Sequence, residues 1–134
     1  MKNPGISLSL IAFGTVTYIS PALSADFTFA FDWGDLKKCT SGNPNTVANP
    51  IFKLKNVPEG TTKIKFSMTD LAVPNYYHGG GTASYAGQDV IQPGAFNYKS
   101  PCPPDGKHPY QWTAIAVDGS GKKLATAKAK KSYP

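Results

Sequence analysis

The side chains able to do acid–base or anion chemistry are few and fall in three places. His78 and His108 are the only two histidines, and the only glutamate, Glu59, sits in a Pro-Glu-Gly turn. His108 lies within the stretch Ser100 to Trp112, SPCPPDGKHPYQW, whose prolines fix φ and remove backbone donors, so it forms a stiff loop feeding a strand and not a helix. Beyond the Asp105-Gly106 turn the period of two of extended chain places His108, Tyr110 and Trp112 on one face. An imidazole and a phenol then project side by side from a rigid rim, either to hold a ligand or to satisfy neighbouring backbone. Asp70 ends the run Thr61 to Asp70, in which Ile64, Phe66 and Met68 alternate with Lys63, Lys65, Ser67 and Thr69. Continued alternation turns its carboxylate inward, where it needs a partner or a wet pocket; a break in register would instead let it cap the turn into Leu71-Ala-Val-Pro74. His78 precedes Gly79-Gly80-Gly81, which could let backbone approach a ligand, form an N–H nest for an anion, or be a flexible loop.

This set narrows the chemistry. No G-x-S-x-G elbow, H-E-x-x-H pair, calcium loop or dinucleotide fingerprint is present. Gly121-Lys122 is no phosphate loop, because Ala116 replaces the first glycine and Lys123 the Ser/Thr. A hydrolytic Asp70–His108 dyad lacks an activated serine or cysteine, so the expectation is a binding protein and not an enzyme, with no cofactor and no metal site. The net charge is +6 and every basic residue is lysine. Absence of arginine argues against nucleic acid, whose base edges and phosphates are read largely by guanidinium forks.

The elements that must position these groups are strands. Phe27, Phe29, Phe31 and Trp33 alternate with Thr28, Ala30 and Asp32, and Phe52 and Leu54 alternate with Lys53 and Lys55. Val57-Pro-Glu-Gly60 is a turn, and Asp118-Gly-Ser-Gly121 joins Gln111–Val117 to Leu124–Lys130 as a hairpin. Cys39 to Pro50 is rich in turn residues and reads as loop. Between Asn75 and Phe96 the pattern weakens, leaving short extended pieces at most within 84–91 and 95–98. At the start, Lys2, the apolar run Ile6 to Ile19 and the small-residue end Pro21 to Ala25 have the layout of a secretory signal peptide. The run is too short and interrupted for a membrane span. Residues 1–25 are therefore expected to be removed, leaving 26–134 as one domain of 109 residues, in the periplasm or secreted. In an oxidising compartment the lone pair Cys39 and Cys102 forms a disulfide. It closes a 63-residue loop, a constraint of about 4 kcal/mol on chain entropy, and pins the rim to the N-terminal part of the domain.

Cys39-Thr-Ser-Gly-Asn43, Asn49-Pro-Ile-Phe-Lys-Leu-Lys-Asn-Val-Pro-Glu-Gly-Thr61, Met68-Thr-Asp-Leu-Ala-Val-Pro74, Pro101-Cys-Pro-Pro104 and His108-Pro-Tyr110 resemble, in this order, the phosphatidylethanolamine-binding protein family, and within it the bacterial Raf kinase inhibitor-like branch. The resemblance covers Cys39 to about Val117. It implies an all-β fold, an antiparallel β-sandwich with little helix beyond the leader, and a small cavity that takes anionic groups such as a phospholipid head group. Asp70 matches the first aspartate of D-P-D-A-P, His108 and Tyr110 match H-R-Y, Pro103 and Pro104 match G-P-P, and His78 matches the histidine that follows D-P-D-A-P. Leu71-Ala72-Val73 removes the second acid, and Ser100 stands where a glycine is usual.

The resemblance and the alternation together imply that Asp70, His78, Pro103, Pro104, His108 and Tyr110 form one ligand site. Asp70 would fix a histidine tautomer, leaving imidazole and phenol to hydrogen-bond an anion, while the two prolines keep the rim open. The alternative partner is a protein that docks on the proline-rich rim, as an exported inhibitor would. The first expected outcome concerns oxidation. Intact mass of the exported protein, with and without reduction before alkylation, will show no thiol free to alkylate until Cys39–Cys102 is reduced; two alkylated cysteines without reduction would refute the bond.

Overall fold

The computed structural model describes residues 4–5, 9–20, 25–40 and 42–134. Lys2, Ile6 to Leu8, Pro21 to Ser24 with its cleavage point, and Ser41 lie outside the described residues. The described strands are β1 (Thr28–Asp32), β2 (Thr46–Ala48), β3 (Ile51–Lys55), β4 (Lys63–Asp70), β5 (Gly80–Ser84), β6 (Val90–Ile91), β7 (Asn97–Lys99), β8 (His108–Val117) and β9 (Lys123–Tyr133). Every pairing is antiparallel, and no helix occurs among the described residues.

Alternation drives the layering. The inward residues of β1 and β3, Phe29, Phe31, Phe52 and Leu54, face those of β4 and β8, Ile64, Phe66, Met68, Trp112 and Ala114, and all are buried. A three-stranded sheet ordered β1-β3-β6 thus closes on a four-stranded sheet ordered β5-β4-β8-β9. The seam is aromatic. Phe52 stacks on Phe66 with ring centres 4.1 Å apart, and Trp112 meets Phe52 edge-on at 5.2 Å. Each such ring removes apolar surface worth about 1.5–3 kcal/mol from water. The fold is an antiparallel β-sandwich.

Two expectations need correction. The segment Cys39 to Pro50 is not all loop, because β2 pairs with β7 from Thr46↔Lys99 to Ala48↔Asn97. Three residues between Asn-Pro signals are too few to show alternation. The triple glycine is neither a loose loop nor an anion nest. Gly80 and Gly81 open β5 against Ser67 and Phe66, and a Cβ at Gly80 would strike the Phe66 carbonyl while one at Gly81 would strike the Phe96 side chain. The glycines are there because neighbouring backbone and an aromatic ring occupy the side-chain space.

One buried polar group organises the crossing. The Asn49 side chain, 1% exposed, accepts from the backbone N–H groups of Gly94, Ala95 and Phe96 at 3.1, 2.9 and 3.2 Å, and donates to the carbonyls of Pro50 and Gln92 at 2.8 and 3.1 Å. It satisfies a loop that would otherwise bury bare amides and sets Phe96 and β7 in place. The glycine packing gives a direct expectation. Gly81→Ala and Gly80→Ala should each cost roughly 3 kcal/mol or more in urea unfolding, because the added Cβ would meet the near end of the Phe96 side chain in one and the Phe66 backbone in the other, neither free to move aside. Gly119→Ala, whose Cβ would meet only Thr62 at 3.9 Å, should be near neutral; equal midpoints for all three would overturn the account.

Candidate functional site

Register brings the acid and the phenol together. Asp70 and Tyr110 are cross-strand partners at the ends of β4 and β8, so both turn inward. Asp70 is 5% exposed, and its two oxygens divide the work. Oδ1 accepts from the backbone N–H of Ala72 at 2.9 Å and of Val73 at 3.3 Å, and Oδ2 accepts from Nδ1 of His108 at 2.8 Å. The interior position and the turn cap, alternatives from sequence, are both realised by one carboxylate. The turn is tied to β8 by Leu71 N–H donating to the Pro109 carbonyl at 2.9 Å.

The chain then returns through Tyr76 to His78, 3% exposed. A carbonyl can only accept, so the 2.8 Å bond between His78 Nδ1 and the Lys99 carbonyl fixes the Nδ1–H tautomer and leaves Nε2 with its lone pair. The imidazole lies edge-on between two phenols, 5.6 Å from the Tyr110 ring and 4.6 Å from the Tyr76 ring. Lys99 Nζ stands 6.0 Å from the centre of the Tyr76 ring.

These side chains wall a cavity of about 200 Å³ whose lining comprises Asp70, Val73, Tyr76, His78 and Tyr110 with Gly42, Pro44, Cys102 and Pro104 at the mouth. The Cys39–Cys102 disulfide clips the 39–44 segment to the 100–104 rim. Ser100 reinforces it, its N–H donating to the Asn45 carbonyl at 2.9 Å and its hydroxyl accepting from Asn45 N–H at 3.2 Å. His108 stands behind Asp70 with its side chain 14% exposed and is not part of the cavity wall. Pro103 faces a separate hollow with Lys38, Cys39, Gly106 and Tyr133. Gly42, Pro44, Val73 and Tyr76 were missed from sequence. Only Tyr76 carried a signal, as the aromatic two residues before His78.

Burial alone would raise the Asp70 carboxyl, but the hydrogen bond from His108 and those from Ala72 and Val73 outweigh it and hold it below its ordinary range. Burial lowers His78, and its bond to the Lys99 carbonyl offsets this only in part; the ring is neutral at pH 7. Burial, then the charge of Asp70, pushes the Tyr110 hydroxyl upward, so it remains O–H. That hydroxyl is buried and makes no hydrogen bond of good geometry among the described residues, although the Asp70 carboxylate and the Cys102 backbone lie close enough to influence it.

The solved structure of Escherichia coli YbcL, described as a new member of the mammalian PEBP family, is similar over 81% of this chain and 98% of that one, with TM-score 0.56 and 19% identity. The fold is that of the phosphatidylethanolamine-binding proteins. CT736 of Chlamydia trachomatis, a putative phosphatidylethanolamine-binding protein homologue, is similar over 81% of this chain and 97% of that one, at 18% identity and TM-score 0.49. No protein-family model matches the sequence, and no curated protein matches it. This chain carries the phosphatidylethanolamine-binding protein fold on strands alone among its described residues.

The depressed His78 has a consequence for stability. A histidine in the unfolded chain titrates near 6.5, so as pH falls through that value the unfolded chain takes up a proton that the folded ring refuses, and stability is lost. Asp70 acts in the same direction below 3.8, where the unfolded carboxylate protonates first. Thermal melts should therefore show a midpoint that falls from pH 7 to pH 5, and His78→Gln should flatten that slope whatever its own midpoint. A slope unchanged by His78→Gln would remove His78 as the cause. At pH 7, Asp70→Asn should cost about 2 kcal/mol through its charged hydrogen bonds.

Proposed function

We propose that this chain is an exported small binding protein, not an enzyme, whose cavity takes the phosphate of a small anionic ligand or a phospholipid head group. The observation that carries the reading is a cavity lined by both Tyr110 and His78, in which His78 Nε2 keeps its lone pair and the Tyr110 hydroxyl makes no well-formed hydrogen bond. The Asp70 carboxylate is engaged by His108 and by the turn N–H groups, so it holds the wall in place. At about 200 Å³ the space is below the roughly 300–1,000 Å³ of pockets for drug-sized molecules; it suits a head group and leaves acyl chains outside.

Tyr110 O–H donates to one phosphate oxygen. His78, neutral in the free site, accepts the proton of a protonated phosphate or takes one up on binding, and Lys99, whose ammonium stands 6.0 Å from the Tyr76 ring centre, adds positive charge nearby. Export supplies the oxidising compartment that the Cys39–Cys102 clip requires.

A protein partner is the second reading. Leu71, Val73 and Tyr77, at 38%, 44% and 81% exposure, form an apolar collar on the turn beside the mouth. In the rim loop Ser100 and Pro101 are buried while Pro104 to Lys107 and Pro109 are exposed, so such a contact would draw on this turn together with the outer part of the rim.

Two-dimensional NMR of the oxidised protein with inorganic phosphate, phosphoethanolamine and short-chain phospholipid tests the first reading. Shifts should centre on Tyr110, His78 and Tyr76 and be tighter at pH 5.5 than at pH 7.5, and His78→Gln should abolish that pH dependence. Tyr110→Phe should weaken binding roughly tenfold, the loss of one hydrogen bond of about 1.4 kcal/mol. No shifts at millimolar ligand, with a stoichiometric protein partner lost on Leu71→Ser/Tyr77→Ser, would replace it with the second.

A further inference from the structure

The outer face of the four-stranded sheet carries a second feature, on the side of the sheet away from the cavity. Residues paired across strands share a face, and the pairings Lys65↔Ile115↔Thr126, Ser67↔Thr113↔Lys128 and Thr69↔Gln111↔Lys130 all lie on the side opposite Phe66, Met68, Trp112 and Ala127, which point to the core. Lys63, Lys65, Lys128 and Lys130 are exposed there, and nothing among the described residues covers them. With strands about 4.8 Å apart and alternate residues about 6.8 Å apart along a strand, the four positions fall on a diagonal track roughly 22 Å long.

Three properties of the face decide what fits it. None of the chain's eight acids stands on it, and among the described residues the lysines that pair with a carboxylate are Lys53 and Lys131, both to Asp32. The track is therefore uncompensated positive charge. Its floor is hydroxyl and amide, from Ser67, Thr69, Gln111 and Thr113, groups that both donate and accept. It offers no arginine or aromatic ring for bases to stack on, and Ile115, half-buried, is its only branched aliphatic, too little to anchor in a bilayer.

We infer that this face binds a linear anionic polysaccharide, its carboxylate or sulfate groups meeting the four lysines in turn and its hydroxyls lying on the Ser/Thr/Gln floor. A linear chain matches the diagonal, and a carbohydrate matches the floor.

The test uses the oxidised protein and immobilised polygalacturonate, with neutral dextran as reference and single-stranded DNA and phosphatidylglycerol vesicles as competitors. Binding to polygalacturonate should exceed that to dextran and weaken with salt. Lys65→Ser/Lys128→Ser should weaken it roughly tenfold and lower the log–log salt slope by about 1–2, whereas Lys37→Ser/Lys107→Ser, which removes equal charge elsewhere, should change it little. Lys63→Ser/Lys130→Ser, at the two ends of the track, gives an independent measure should the first variant melt early. Equal losses for track and control variants, no preference over dextran, or stronger competition by DNA or vesicles than by free polygalacturonate would each overturn the inference.

Discussion

A carboxylate at the end of a strand whose other inward residues are Ile64, Phe66 and Met68 has to be fully satisfied, and the region around it is arranged to do so. Burying an ionised acid without partners costs far more than any single contact returns. Asp70 meets the constraint with both oxygens, one gathering the N–H groups of the following turn and one accepting from His108. The turn cap fixes the direction in which the chain leaves β4, which carries Tyr76 and His78 back over Tyr110. The histidine bond fixes the opening of β8. The cavity is the space left between these two solutions.

A second buried polar group works at greater range. Asn49 ties the β2–β3 junction to residues 92–96, which seats Phe96 over Gly81 and aligns β7. From β7 comes the Lys99 carbonyl that orients His78. The imagined path from a surface loop to a catalytic-looking imidazole is thus a chain of backbone hydrogen bonds and one aromatic ring, with no long-range charge required. Neutral His78, protonated Tyr110 and the internally paired Asp70 give a cavity whose free imidazole nitrogen can take up a proton.

Much of the sandwich was legible because its strands bury one face. The alternation through Phe29, Phe31, Phe52, Leu54 and Ile64 to Met68 fixes which side meets the core, and a single-residue slip would invert it. The same rule turns Asp70 inward only if register holds to the end of β4, with a turn cap as the alternative, and puts Tyr110 on the face of Trp112. What stayed hidden has no periodic signature. β2 is three residues long, Asn49 finds its partners on backbone more than forty positions away, and Gly80 and Gly81 are defined by the atoms of Phe66 and Phe96 that crowd them. The rim shows the limit of reasoning by loop identity: Pro103 and Pro104 are adjacent, yet they border different hollows where the chain enters the turn at Pro104 and Asp105.

β9 is eleven residues long and lies at the border of its sheet, where one row of N–H and C=O groups is free to template a further strand from another molecule. Such borders nucleate fibrils unless they are blunted. Here the far end is occupied by its own chain, Trp33 Nε1–H donating to the Ser132 carbonyl and Lys131 reaching Asp32, and like-charged Lys128 and Lys130 would meet their counterparts in any antiparallel copy laid alongside. The opposite border, β5, has only five residues. The architecture therefore resists self-templated growth from both margins, and the same ammonium groups that would make it attractive to a polyanion keep it colloidally separate from itself.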